Sequence, residues 1–172
     1  GSKSEAMSSA VGALWLAAGL GLALALVVFL SARPIALIFS SSMLVHRAAV
    51  DYLQIASWSI PAALIVMAAT GVLRGVLDLR TPLFVMIAAN LMNIILTLAL
   101  VFGLDLGLAG AAVGLVLAQW FAALWLLLVV WRRVRAQHVK ASPHLTAIIR
   151  SAADGFALII RTATLRAVLL VA

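Results

Sequence analysis

Thr81-Pro82-Leu83-Phe84-Val85-Met86-Ile87-Ala88-Ala89-Asn90-Leu91-Met92-Asn93-Ile94-Ile95-Leu96-Thr97-Leu98-Ala99-Leu100-Val101-Phe102-Gly103 is the stretch that decides the fold. Thr81 is a good N-cap and Pro82 a good first helical residue, so a helix is expected to start here. Beyond that start the run is apolar apart from three side chains, Asn90, Asn93 and Thr97. At about 100° per residue, positions i, i+3 and i+7 fall within roughly 60° on one helix face. About 20 apolar residues suffice to cross the ~30 Å hydrocarbon core of a bilayer. Carboxamides on a spanning helix are costly unless they find partners, so this stripe is expected to face another helix or a water-filled path.

The rest of the chain has the same character. Of 172 residues 66% are hydrophobic and 10% charged, and the mean hydropathy is +1.25. A soluble domain is nearer half apolar and a quarter charged. The fold class is therefore all-α, a polytopic helical membrane protein whose first partner is the lipid bilayer. The formal net charge of +7 raises nucleic acid as a partner. The basic residues, however, are not gathered beside stacking aromatics. They stand between apolar runs, where topology determinants stand, so no nucleic acid is expected. The absence of cysteine excludes disulfides, and His46, His138 and His144 are too scattered for a metal site. No nucleophile–base pair or glycine-rich phosphate loop is evident, so neither an enzyme nor a cofactor is expected.

Four spans are expected, at about 10–30, 51–73, 82–103 and 108–131. Ala32-Arg33-Pro34 should break the first, with Ile35 to Phe39 forming a short interfacial piece. Pro61 lies well inside the second and should kink it, freeing the carbonyl of Ser57, either for packing or as a flexing point. Arg74-Gly75-Val76-Leu77-Asp78-Leu79-Arg80-Thr81-Pro82 reads as a tight charged turn in which Arg74 and Asp78 pair. It is either a solvated hairpin or a point on which helices rock. In the fourth span Gly110 and Gly114 form a face for close helix packing, and Gln119 is the strongly polar interior residue. Residues 132–154 read as a basic linker with an amphipathic helix, and 155–172 as the start of another span. Gly1-Ser2 without an initiator Met, and an end inside the apolar run Val168 to Ala172, lead to the expectation of an internal piece of a longer protein.

Lys3, Arg74, Arg80, Arg132, Arg133, Arg135, Lys140 and Arg150 would share one side of the membrane, and only Arg33 and Arg47 the other. The positive-inside rule puts the first group, with the N-terminus, in the cytoplasm of a multi-pass plasma (inner) membrane protein.

Gly71-Val72-Leu73-Arg74-Gly75-Val76-Leu77-Asp78-Leu79-Arg80-Thr81-Pro82, then Asn90-Leu91-Met92-Asn93-Ile94-Ile95-Leu96-Thr97, then Gly107-Leu108-Ala109-Gly110-Ala111-Ala112 resemble the multidrug and toxic compound extrusion (MATE) family. The likeness is greatest to its DinF-type branch, with R-G-x-x-D-x-R-T-P, N-x-x-N-x-x-L-D and G-x-x-G-A-A in this order. Tyr52-Leu53, Arg161-Thr162 and Leu165-Arg166 add to the likeness. The resemblance implies twelve helices in two six-helix lobes, of which residues 1–131 are the last four of the amino-terminal lobe. It also implies export of small amphipathic or cationic compounds by alternating access, coupled to H⁺ or Na⁺, with the remaining helices of the full transporter as partners. In such proteins a cation site lies between an Asp on the first helix and Asn and Asp on the fifth. Asn93 matches that Asn, whereas Thr97 stands where the Asp is expected. A hydroxyl coordinates or hydrogen-bonds but carries no proton charge, so the coupling carboxylate is expected elsewhere. Asn90, Asn93, Thr97 and Gln119 are thus candidates for the cation or substrate path, or for interhelical glue. The competing functions are a lipid-linked precursor flippase and a structural membrane subunit that transports nothing.

Overall fold

The computed structural model of the chain describes residues 2–39 and 42–136. The expected amphipathic helix and the start of a further span fall outside the described residues. Helix α1 runs Ser2–Phe39, α2 Met43–Ser57, α3 Ser59–Gly75 and α4 Arg80–Leu98; a π-helical turn, Ala99–Gly103, extends α4, and α5 runs Gly107–Ala136. No strand occurs among the described residues. Four stretches are long and apolar enough to cross a membrane: Ala10–Ile38, Met43–Gly75, Arg80–Gly103 and Gly107–Arg135. The second combines α2 and α3.

Three local expectations are corrected. Proline does not break α1, which continues through Pro34 to Phe39, so there is no separate interfacial piece. Pro34 and Arg33 are exposed while Ala32 and Ala36 are buried, so the proline's defect faces away from the packed side. A proline costs a helix one N–H and some strain, and membrane helices accommodate both. The second span starts at Met43 rather than near Asp51, because Ser42 caps it: Ser42 Oγ accepts from Val45 N–H at 3.3 Å.

The third correction concerns Pro61. It does not sit in the middle of a kinked helix. The chain interrupts its helix at Trp58, and Pro61 falls in the first turn of α3, where a missing N–H is harmless. The hydroxyls of Ser57 and Ser59 donate to the carbonyls of Gln54 (2.7 Å) and Ala56 (2.6 Å) at the end of α2. Across the bundle the Trp120 indole Nε1–H donates to the Trp58 carbonyl at 3.0 Å. The carbonyl met by a neighbouring helix is therefore that of Trp58, not Ser57.

Helix α5 is central. It packs against α2, α3 and α4, while α1 packs against α2 and α3; the sequential neighbours α3 and α4 scarcely touch. The core is correspondingly fine-grained. Ala62, Ile65, Val66, Ala69 and Leu73 recur at helical spacing on α3 and meet Ala122, Ala123, Leu126, Val130 and Val134 of α5. Small side chains let these backbones approach closely. Large residues such as Leu30, Phe84, Ile95 and Phe102 point outward. On a soluble protein such a surface would aggregate; on a spanning bundle it suits lipid or further helices.

Three glycines mark the tightest contacts. A β-carbon on Gly110 would lie 2.9 Å from the Leu100 carbonyl carbon, one on Gly114 2.9 Å from Thr97 Oγ1, and one on Gly21 2.5 Å from Pro61 Cα. Gly19, on the same helix as Gly21, has nothing within 4 Å of such an atom. Gly21→Ala is therefore expected to destabilise the bundle by about 1–3 kcal/mol through overpacking. Gly19→Ala should be neutral or stabilise by up to about 1 kcal/mol through helix propensity. Thermal melts of the two variants in one detergent check the contrast.

Candidate functional site

The polar stripe of α4 meets α5 at a small cavity. Asn90 and Asn93 of α4 line it together with Gln119 of α5, and Val66, Met86 and Ala89 contribute apolar walls. The cavity measures about 50 Å³. A water's share of liquid volume is about 30 Å³, so this space has room for one or two waters. Asn90 donates from Nδ2 to the carbonyl of Met86 at 2.8 Å, one turn back on its own helix. The Asn93 carboxamide oxygen accepts from Thr97 Oγ1 at 3.1 Å.

Thr97 does not line the cavity. It sits one turn beyond, under Gly114, and reaches the site through Asn93. The stripe predicted from spacing thus divides into two carboxamides at the cavity and a hydroxyl that orients one of them. Periodicity placed Asn90 and Asn93 on one face; their convergence with Gln119 follows only from how α5 packs against α4.

The charged motif lies elsewhere, in the turn between α3 and α4. Gly75 is the last residue of α3, and Leu77 takes the left-handed conformation (φ 61°) beyond it. Leu77 N–H then reaches the Arg74 carbonyl and Asp78 N–H the Leu73 carbonyl, both at 2.9 Å. This is the paired bonding that closes a helix C-terminus. Asp78 is thereby set to begin the next helix. Its carboxylate accepts from Thr81 N–H at 3.0 Å and from Thr81 Oγ1 at 2.8 Å. The capping side chain is therefore Asp78, and Thr81 is the residue it holds.

The expected Arg74–Asp78 pair is not formed. Asp78 pairs instead with Arg133, near the end of α5, while Arg74 and Arg80 are exposed. The physical reason is the turn: once Asp78 points forward to cap α4, its Oδ2, which accepts from the Thr81 hydroxyl, also faces Arg133 of α5 rather than back along α3. Pro82 is buried in the first turn of α4. The Thr81 N–H, then its hydroxyl, then Arg133 hold the Asp78 carboxyl below its ordinary pKa.

Sequence spacing missed two contributors, Arg133 and Trp120. Arg133 stood out only as one of three arginines in a basic run. Trp120 carried a faint signal, being a mid-span residue with one donor, in a chain whose Pro61 leaves a carbonyl without its usual partner.

A family model described as MatE matches residues 1–99. Protein DETOXIFICATION 43 of Arabidopsis thaliana is 36% identical over 126 residues, covering 67% of this chain and 23% of that protein. Protein DETOXIFICATION 44, chloroplastic, of the same plant is 34% identical over 118 residues, covering 66% and 22%. DNA damage-inducible protein F of Escherichia coli (strain K12) is 33% identical over 89 residues, covering 52% and 19%. The matched stretch thus spans about a quarter or less of each of these relatives. No solved structure matches the chain.

The Asp78 cap has a pH signature. A carboxylate with a lower pKa folded than unfolded adds stability above its unfolded value, near 3.8, and loses it as pH falls through the folded value. The wild type should therefore melt above Asp78→Asn at neutral pH, and the two should converge as the pH drops below the ordinary carboxylate range. Melting curves across pH check this; a constant gap would remove the carboxylate's charge from the account.

Proposed function

The chain belongs to the MatE family, and from that premise we propose that it forms four spans of a secondary exporter of toxic and amphipathic compounds. The observation that carries the reading is the convergence of Asn90, Asn93 and Gln119 on one cavity between α3, α4 and α5, inside otherwise apolar helices. Polar side chains within spanning helices line an ion or substrate path or hydrogen-bond a neighbouring helix, and an exposed Asn90 beside half-buried Asn93 and Gln119 supports the path. The cavity's size suits the coupling ion, H⁺ carried with water or Na⁺, rather than the exported compound. Carboxamide oxygens are hard donors that Na⁺ accepts.

Alternating access requires a part of the bundle that bends and a part that holds. The interruption at Trp58 supplies the first, since two hydroxyl bonds and one indole bond replace a continuous helix there. The Asp78–Arg133 pair supplies the second, tying the α3–α4 turn to α5. On this reading that turn lies on the cytoplasmic side of a plasma (inner) membrane, an assignment that rests on the preponderance of basic residues beside it. The uncharged carboxamides of the cavity suit a cation better than the pyrophosphate of a lipid-linked precursor, so the exporter reading is preferred to the flippase.

Ethidium efflux from cells expressing the full-length protein, with and without a protonophore, tests this. Export should collapse either with the proton gradient or on removal of external Na⁺. Asn93→Ala should lower the efflux rate about tenfold or more at unchanged membrane expression, as expected for loss of an intramembrane ligand. Thr97→Asp should add an acid-range step to the pH dependence of export. Full activity of Asn93→Ala would reduce the stripe to packing.

A further inference from the structure

A second, larger recess lies between α1, α3 and α5, toward the end of α5 that carries Arg133. It is about 440 Å³ in volume and lined by apolar and tryptophan side chains, among them Trp15, Ala18, Ile65, Leu128 and Trp131. That is within the ~300–1,000 Å³ typical of small-molecule sites. The recess exists because α1 and α5 both pack on α3 but scarcely touch each other. Its α5 wall runs from Leu124 to Val134, about 15 Å along the helix axis at 1.5 Å per residue. It is therefore a groove parallel to the helices, the direction in which an acyl chain lies.

The end of this groove is cationic. Arg135 follows Leu128 by seven residues and Arg132 follows it by four, which puts them within about 20° and 40° of it around α5. Both are exposed. The Arg135 guanidinium lies over the Trp131 ring, 3.8 Å from its centroid. The stacking covers one face of the guanidinium and leaves its N–H edge for a phosphate or carboxylate. Arg133, by contrast, points to the other side and is taken by Asp78. Among the described residues no carboxylate pairs with Arg132 or Arg135.

We propose that this groove is a binding site for an anionic phospholipid, with an acyl chain along Trp15, Ala18 and Leu128 and the phosphate held by Arg132 and Arg135. The site is separate from the Asn90–Asn93–Gln119 cavity and does not depend on the transport reading. Basic residues at the end of an apolar interhelical groove match such a lipid in both charge and shape.

The test reconstitutes the full chain in phosphatidylcholine vesicles carrying a minor, equal fraction of acyl-brominated phosphatidylglycerol or acyl-brominated phosphatidylcholine. Tryptophan quenching is then compared, because Trp15 and Trp131 line the groove. Phosphatidylglycerol should quench preferentially, on the order of fivefold or more for two arginines at a membrane surface. The preference should fall to near one in the Arg132→Gln/Arg135→Gln variant. It should also fall in the unaltered protein as salt rises, a readout that needs no variant. Equal quenching by the two lipids would overturn the proposal, as would a preference that survives both the variant and high salt. Quenching no greater than in Trp15→Phe/Trp131→Phe would overturn it too, by showing the groove closed to lipid and covered by protein.

Discussion

Everything in this bundle depends on α5 touching three other helices at once. Several neighbours fit around one helix at the usual interaxial distance of about 8–10 Å, but two of the contacts here are close enough that an added β-carbon would clash. Small residues make that possible: Gly110 against the Leu100 backbone, Gly114 against Thr97, and alanines 118, 122 and 123 against α3 and α4. In lipid no hydrophobic force drives helices together, so fit and dispersion at such contacts carry the association. The Asn93–Thr97 bond is a by-product of this closeness, since Gly114 leaves just enough room for the Thr97 hydroxyl above α4.

The second constraint is the accounting of backbone polar groups where water is scarce. Each unsatisfied group in hydrocarbon costs several kcal/mol. The region before Pro61 would leave such groups open, and three donors answer: two serine hydroxyls within the segment and one indole from α5. The same bond that satisfies Trp58 also positions Trp120, the residue after Gln119 on α5. A local defect in one span is thereby coupled to the orientation of the helix that closes the polar cavity.

Much of this is legible in the amino-acid sequence. Apolar runs announce the four spans, though not their bounds, and the Gly110/Gly114 spacing marks a packing face, because these signals are local. Asn90 and Asn93 were legible as one face for the same reason. What was illegible depended on partners far along the chain. Asp78 looked as suited to Arg74 as to any cation, and only the left-handed turn at Leu77 directs it forward and across to Arg133. The prolines depart from their local pattern because their effect depends on surroundings. Pro34 faces outward and is absorbed, whereas Pro61 packs against Gly21 and the chain interrupts ahead of it. The meeting of Gln119 with the two asparagines was likewise beyond periodicity, since it depends on the rotation of one helix against another.

The turn at Leu77 also bears on the order of assembly. Its closing bonds and the Asp78–Thr81 cap involve only residues 73–81, so the α3–α4 hairpin is specified as soon as those residues leave the ribosome. Since α3 and α4 scarcely touch, the hairpin by itself is two legs held at one end and open between. Synthesis proceeds from the N-terminus, so α5 is made last of the three, and it fills that opening. Arg133, close to its end, reaches Asp78 only once the whole helix is threaded through. The ion pair is then a late contact, one that the α3–α4 hairpin cannot make by itself.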